Sequence, residues 1–130
     1  MTAVLDTHVW LWWLNQDSRL KTSWRECIDQ ADQVGVSAIT LFEVSWLERH
    51  GRIELPCSRS EWFDKALTGS CIQLFSITPE IASQAVDLPE HHSDPQDRII
   101  IATALVHDAL LLSADKKFRL YRSLKNKLIA

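Results

Sequence analysis

The stretch AVLDTHVWLWWLN, residues 3–15, decides the fold, because a short apolar run ends at an acid and an apolar segment of helical length follows at once. Ala3–Leu5 is typical of a buried strand, and Asp6 closes it. The segment behind it is apolar on nearly every side, which for a helix indicates burial against the sheet and a second surface. The same order recurs late in the chain, where Leu110–Ser113 predicts a strand and Asp115 follows.

Strand-like and helix-like segments alternate between these two stretches. Besides the two strands just described, strands are predicted at residues 34–37 and 71–76. Helices are predicted to begin at Ser23 and Ser58, each with a Ser-x-x-Glu capping box, at Thr40, at Thr78-Pro79 and at Asp94-Pro95, with a basic helix at the end. Such alternation implies right-handed crossovers and a parallel sheet. No repeat or low-complexity segment interrupts it, so residues 1–130 are predicted to form one domain.

Composition is ordinary for a soluble protein with a real core: 130 residues, 46% hydrophobic and 24% charged. The formal net charge of −3 argues mildly against a nucleic-acid partner, because phosphate binding usually depends on a basic surface. The charge is uneven, however, and no acid follows Asp115. The basic residues of this tail are Lys116, Lys117, Arg119, Arg122, Lys125 and Lys127. The tail is either a solvated helix face or a place to hold a polyanion.

The cysteines and the N-terminus indicate a compartment. Cys27, Cys57 and Cys71 are odd in number and lack the paired spacing of a zinc or redox motif, so free thiols in a reducing compartment are expected. No signal-like segment opens the chain, and no apolar run reaches membrane-spanning length. The expected location is the cytoplasm, with no membrane partner.

Four acids are placed where a parallel sheet could gather them: Asp6, Glu43, Asp97 and Asp115. Glu43 and Asp97 are each expected in the first turn of an apolar helix. Because parallel sheets build sites at the carboxyl ends of their strands, the four carboxylates are expected to meet there. Carboxylates about 5 Å apart repel by roughly 3 kcal/mol per pair at an effective dielectric constant of about 20, so the cluster needs cations. Oxygen ligands favour Mg²⁺ or Mn²⁺, whose bound water suits phosphodiester hydrolysis.

Taken singly, each acid also has a structural explanation as a helix cap. Asp6 follows a strand and could cap the next helix, and Glu43 stands at capping-box spacing from Thr40. Asp94 is a natural N-cap, which places Asp97 where the helix dipole favours an acid. Ser113 or Asp115 could likewise cap the basic helix. Independent caps have no reason to fall after successive strand ends, so their joint placement favours the metal site.

The motifs in this order resemble the PIN-domain family, in particular the VapC-type ribonuclease toxins of bacterial toxin–antitoxin pairs. The resemblance runs through VLDTHVWLWWL (4–14), SAITLFEVSWLERHGRIEL (37–55), LPEHHSDPQDRIIIATAL (88–105) and LLLSADKKF (110–118). The pattern H-x-D-P-x-D-R-x-I-x-A-T-A from His92 to Ala104 is its most specific part. The resemblance implies a three-layer α/β/α sandwich around a central, mostly parallel sheet of four to five strands, whose last edge strand is short or missing.

The resemblance also implies roles for particular residues. The metal-binding and catalytic acids of the family fall on Asp6, Glu43, Asp97 and Asp115, of which the last stands at the family's least uniform position. Asp94 is left as a helix cap. Thr7 and Ser113 match hydroxyl positions that support the site, with Ser113 standing where Thr is more usual. The candidate contacts to RNA phosphates are Arg98, Lys116, Lys117 and Arg119, and Arg98 could equally pair with a neighbouring acid. His91 and His92 are interpreted as ordinary loop histidines, because the carboxylates suffice for a metal.

The implied function is a Mg²⁺- or Mn²⁺-dependent endoribonuclease, often a homodimer, that a cognate antitoxin silences by packing across its groove. An excess of tryptophan fits such an interface, although core burial is the simpler reading for any one of Trp10, Trp12, Trp13 and Trp46. One alternative is a binding module with a weak site that acts through a protein partner or RNA. Another is a phosphotransfer enzyme with Asp6 as nucleophile, which would be expected to carry a second Asp where this chain has His8.

Overall fold

The structure is a computed structural model that describes residues 1–130. Its strands are β1 (Thr2–Leu5), β2 (Gln33–Ser37), β3 (Gln73–Phe75), β4 (Leu110–Leu112) and β5 (Leu128–Ile129). Its α-helices are α1 (Thr7–Leu14), α2 (Thr22–Gln30), α3 (Ala38–Arg49), α4 (Arg59–Thr68), α5 (Pro79–Asp87) and α6 (Pro95–Val106). Two short 3₁₀ helices, Lys116–Leu120 and Arg122–Leu124, lie between β4 and β5.

The five strands form one sheet in the order β3-β2-β1-β4-β5, and every neighbouring pair is parallel. The first strand lies at the centre, where Val4 is in register with Gly35 on one side and Leu111 on the other. The carboxyl ends of β1 and β4 therefore lie at the same edge of the sheet. The predicted parallel α/β architecture is confirmed, and the last edge strand is present but only two residues long.

Helices cover both faces of this sheet, as the alternation of side chains along β1 requires. Ala3 and Leu5 point into a core shared with α1, α2 and α4. Val4 points the other way, into a core shared with α6 and the two 3₁₀ helices. The helix α5 packs outside α6 through Ile81 and Ala85. The layers of the predicted sandwich are thus confirmed.

The tryptophans divide between core and surface. Trp10 is fully buried and meets Trp62 edge-on with ring centroids 5.3 Å apart. Trp12 and Trp13 are partly buried against the same core, and Trp46 is 43% exposed. Trp10 is therefore a core residue and is not available to the tryptophan-rich interface predicted from the sequence.

Several helix starts were predicted correctly, and three local predictions were wrong. Ser58, Thr78 and Asp94 each accept a hydrogen bond from a backbone N–H of the helix they begin. Ser23 does not cap α2, because the helix begins one residue earlier, after Lys21, which makes no side-chain cap. The basic segment after Asp115 is not an α-helix but the two 3₁₀ turns.

The third error concerns the start of α3. Ser37, the last residue of β2, is its N-cap and accepts a hydrogen bond from the Ile39 N–H at 3.2 Å. The helix therefore begins at Ala38, and Glu43 lies in its second turn rather than its first. Thr40 is fully buried and forms no capping box with Glu43. The interpretation of Glu43 as a helix cap is wrong.

The approach of β3 to β2 depends on Gly35. A Cβ atom at this position would lie 2.5 Å from the carbonyl oxygen of Gln73 and 2.5 Å from a ring atom of Phe75. Only glycine allows the two strands to pair while the Phe75 ring packs across the sheet. No helix in the structure combines the length and the apolar composition needed to cross a bilayer.

Candidate metal centre

The acids singled out in the sequence line one open cleft of about 400 Å³. Asp6 enters it from the end of β1, Asp115 from the segment after β4, and Glu43 and Asp97 from α3 and α6. The cleft is completed by His8, Trp12, Asp94 and Ala114. Four elements that are distant in sequence thus present carboxylates to one place, which independent caps do not explain.

Two of these acids are also helix caps, so the two interpretations are not exclusive. Asp6 Oδ1 accepts a hydrogen bond from the Thr7 N–H at 2.7 Å, and Asp115 Oδ1 accepts one from the Lys117 N–H at 2.9 Å. Each acid has a second oxygen. Capping uses one oxygen of each carboxylate and fixes the side-chain orientation, while both residues still line the cleft.

Buried hydroxyl groups tie the acids together. Ser113 Oγ donates to Asp6 Oδ2 at 2.7 Å and accepts from the Asp115 N–H at 3.0 Å. Thr7 Oγ1 donates to Glu43 Oε1 at 2.9 Å. Thr7 and Ser113 are both fully buried, so water does not compete for these bonds. The two hydroxyl groups hold three carboxylate-bearing segments in fixed positions relative to one another.

The two acids of the D-P-x-D motif differ in their surroundings. Asp94 Oδ1 accepts a hydrogen bond from the Gln96 N–H at 2.9 Å and caps α6. Asp97 lies one turn further, and its carboxylate accepts no hydrogen bond within the chain; its side chain is 18% exposed. Asp97 is therefore the acid of the pair that takes no part in capping and accepts no hydrogen bond, and the basic group that lies beside it is the His92 imidazole at 3.7 Å.

Burial makes this cluster hard to ionise. It raises the pKa of Asp97 to about 8, with further contributions from the charges of Asp6, Asp94, Asp115 and Glu43. Burial also raises the pKa of Asp6, although hydrogen bonds from Ser113 and Thr7 oppose it. The pKa of Glu43 is raised by burial against the opposing hydrogen bond from Thr7. A cation in the cleft would favour the ionised form of all three.

His92, interpreted from the sequence as a loop residue, is a buried member of the site. Its Nε2 lies 3.2 Å from Asp115 Oδ2 and its Nδ1 lies 3.7 Å from Asp97 Oδ2. One ligand atom from each of these three residues falls within 4.8 Å of the others. The sequence signal was the position of His92 two residues before Asp94, the N-cap of α6, which places it close to Asp97 and Arg98 in the first turn.

The basic side chains predicted to contact RNA phosphates differ in whether they already bond to the protein. The Arg98 guanidinium donates to four backbone carbonyl oxygens at 2.7 to 3.1 Å, those of Val86, Leu88, Pro89 and His92. It forms no ion pair, so the prediction that Arg98 pairs with a neighbouring acid is wrong. Lys116, Lys117 and Arg119 are exposed on the first 3₁₀ helix, directly after Asp115.

The residues present fit a divalent cation. The cleft offers carboxylate oxygens that are partly desolvated and mutually repelling. Beside Asp115 lies a buried imidazole nitrogen that lacks a hydrogen-bond partner, that of His92. Asp6, Glu43, Asp97 and Asp115 would supply the oxygen ligands that Mg²⁺ and Mn²⁺ accept.

The raised pKa of Asp97 predicts a pH dependence of stability in the metal-free chain. A carboxyl with a higher pKa in the folded chain stabilises it while protonated, so this contribution is complete below the ordinary value of 3.8 and is lost as pH rises through about 8. We expect the unfolding temperature in EDTA to be lower by about 3 °C or more at about pH 8.5 than at about pH 6. Excess Mn²⁺ should remove most of this difference between the two unfolding temperatures, both measured by calorimetry. An unfolding temperature in EDTA that rises with pH would contradict the clustering of these charges.

Comparison with known proteins agrees with this geometry. A family model described as PIN domain matches residues 3–124. Ribonuclease VapC22 of Mycobacterium tuberculosis is 36% identical over 122 residues, which are 93% of this chain and 92% of that protein. The crystal structure of VapBC2 from Rickettsia felis, bound to a DNA fragment from their promoter, has a TM-score of 0.72 at 15% identity and covers 99% of this chain and 98% of that one. A toxin–antitoxin complex from Klebsiella pneumoniae has a TM-score of 0.68 at 21% identity, covering 98% and 96%.

The two structural likenesses bear on the fold alone, because both identities are low. The family match spans residues 3–124, which include all four acids of the cleft, and the 36% identity with Ribonuclease VapC22 extends over 93% of this chain. The chain belongs to the PIN-domain family, in the group that includes Ribonuclease VapC22.

Proposed function

We propose that this chain is a metal-dependent endoribonuclease, the toxin component of a toxin–antitoxin pair, which hydrolyses RNA phosphodiester bonds. The observation that carries the proposal is the convergence of Asp6, Glu43, Asp97 and Asp115 on one cleft. The identity with a protein named as a ribonuclease, over 93% of this chain, supports the reaction class.

In this proposal the four acids hold a divalent cation, Mg²⁺ or Mn²⁺. A bound cation of this kind polarises a phosphoryl oxygen and lowers the pKa of a bound water so that it can attack. The residues of the chain itself contribute by holding the ligands of the cation in position. Thr7 and Ser113 each donate to one oxygen of a neighbouring carboxylate, which fixes Glu43 and Asp6 before the substrate arrives.

The RNA is proposed to approach along the first 3₁₀ helix. Lys116, Lys117 and Arg119 are exposed immediately after Asp115, so phosphates held there lie next to the cleft. We leave Arg98 out of this surface, because its guanidinium is occupied by backbone carbonyl oxygens.

A cognate antitoxin is the proposed protein partner, and a homodimer the proposed assembly. Solved structures of the same fold include a toxin–antitoxin complex. On α3, Phe42 and Trp46 are 56% and 43% exposed beside Glu43, an apolar surface next to the cleft that a partner could cover. An RNA substrate and three free cysteines fit the cytoplasm.

The test is cleavage of a mixed cellular RNA pool by the purified chain, free of any antitoxin, with mapping of the new ends. We expect cleavage with Mn²⁺ or Mg²⁺ and none in EDTA. In Asp6→Asn cleavage should fall at least about 100-fold, because a metal ligand is lost while the Thr7 N–H keeps its acceptor. A folded wild-type chain that binds Mn²⁺ and RNA but leaves the RNA intact would support the binding module and overturn the nuclease.

A further inference from the structure

The imidazole of His92 is a buried polar group without the partner that such groups normally have. The residue is 7% exposed, and its Nε2 makes no hydrogen bond. Asp115 Oδ2 lies 3.2 Å from this nitrogen, but the two are not aligned as a hydrogen bond. A buried nitrogen beside two carboxylates therefore has no hydrogen-bond partner in the chain.

The surrounding residues hold His92 in this position from three sides. Its backbone N–H donates to the Tyr121 hydroxyl at 3.0 Å, and its carbonyl oxygen accepts from Arg98 at 3.1 Å. Its ring meets the Phe118 ring edge-on, with centroids 5.5 Å apart. Tyr121 and Phe118 are themselves buried. The ring is therefore fixed behind the cleft, next to Asp97 and Asp115, by residues that do not line the cleft.

We propose that His92 is a nitrogen ligand of the divalent cation in this cleft, beside Asp97 and Asp115, and makes the site prefer a transition-metal ion such as Mn²⁺ to Mg²⁺. This inference rests on the proposed metal-dependent function. One ligand atom from each of the three residues falls within 4.8 Å of the others, so a single ion can touch all three. Mn²⁺ is bound well by carboxylates but, as a transition-metal ion, also accepts an imidazole nitrogen, whereas Mg²⁺ keeps oxygen ligands and its own waters.

His8 is the histidine that lines the cleft, and it is the alternative source of nitrogen. Its side chain is exposed at the rim, whereas that of His92 is buried among the acids. His91 supplies a matched control, because it adjoins His92 in sequence but is exposed and packs on the outer side of Tyr121.

Pulsed electron paramagnetic resonance of the Mn²⁺-loaded full chain tests the ligand directly. We expect a ¹⁴N modulation in the wild type that is replaced by the ¹⁵N pattern when histidine is labelled. It should disappear in His92→Phe and persist in His91→Phe and His8→Phe. Bound Mn²⁺ without nitrogen modulation, or a modulation that depends on His8 instead, would overturn the inference.

Ion competition gives a second readout that needs no cleavage. Titration of His92→Phe and of the milder His92→Gln should show Mn²⁺ affinity reduced at least about tenfold and Mg²⁺ affinity within about twofold of wild type. Equal losses for both ions would overturn the proposed selectivity. Because the wild-type spectrum requires no variant, failure of a variant to fold does not remove the test.

Failure of this inference is distinguishable from failure of the proposed function. A wild-type chain that binds Mn²⁺ and cleaves RNA without a nitrogen ligand overturns only the role of His92. A wild-type chain that binds no Mn²⁺ overturns that role and the metal dependence together.

Discussion

We expect Asp97→Asn to lower metal-dependent RNA cleavage at least about 100-fold, more than the ten- to hundredfold that loss of an outer partner of a metal ligand typically costs. Asp97 contributes a carboxylate that accepts no hydrogen bond in the chain and lies among four others. Asparagine has nearly the same shape but no charge to offer a cation. Cleavage rates at saturating Mn²⁺, measured beside Mn²⁺ affinity, provide the test.

Asp94→Asn is the matched control, because it makes the same chemical change three residues away in the same cleft. Asparagine is as good an N-cap as aspartate, so α6 should keep its start and stability should change only slightly. Cleavage should stay within about threefold of wild type, in the range of a weakly interacting surface charge. If Asp94 proved essential and Asp97 dispensable, the metal acid of the D-P-x-D motif would be the other one.

The same Asp97→Asn variant should be more stable than wild type in EDTA. Removing a buried carboxyl that is repelled by its neighbours relieves the metal-free fold. A higher unfolding temperature combined with lost cleavage separates a site defect from a folding defect. An unfolding temperature in EDTA below that of the wild type would mean that the Asp97 carboxylate stabilises the metal-free fold, as an ion pair with His92 would do.

Arg98→Lys should destabilise the fold by about 2 kcal/mol, as expected for losing charged hydrogen bonds to backbone carbonyl groups, two of them partly buried. The planar guanidinium reaches four carbonyl oxygens spread over residues 86–92, and an ammonium group cannot span them all. Chemical denaturation of both proteins measures the difference.

Arg119→Lys serves as the control for Arg98→Lys, since Arg119 is exposed and makes no such bonds. Its free energy of unfolding should stay within about 0.5 kcal/mol of wild type. Unchanged stability in Arg98→Lys, combined with weaker RNA binding, would instead assign Arg98 to a phosphate and restore the role predicted from the sequence.

Patterns within a few residues of one another were sufficient to predict much of the fold. The strands β1 and β4 were predicted correctly from their apolar runs, and so were the helix caps Ser58, Thr78 and Asp94. These features depend on backbone hydrogen bonds and side-chain alternation inside one segment. The capping box at Ser23 failed for a related reason, because a local motif can be satisfied at more than one register and packing selects among them.

Errors and omissions at the site came from contacts between distant segments. His92 was interpreted as an ordinary loop histidine, yet it is buried beside Asp115. Arg98 was interpreted from its charge, yet its guanidinium donates to backbone carbonyl groups. Burial depends on what packs above a residue, and that is decided by other parts of the chain. The start of α3 likewise depended on Ser37 completing β2 before the helix begins.

The sequence by itself determined the alternation of strands and helices, and with it the side of a parallel sheet on which Asp6 and Asp115 emerge. Only the tertiary structure decided which side chains lose water there and which partners they gain. The bond between Ser113 and Asp6 joins residues 107 positions apart, and no local pattern encodes its length or its burial. The pKa values of the acids, their desolvation and their affinity for a metal depend on the distances between such residues. Those distances are set only when the sheet forms and the helices pack on it.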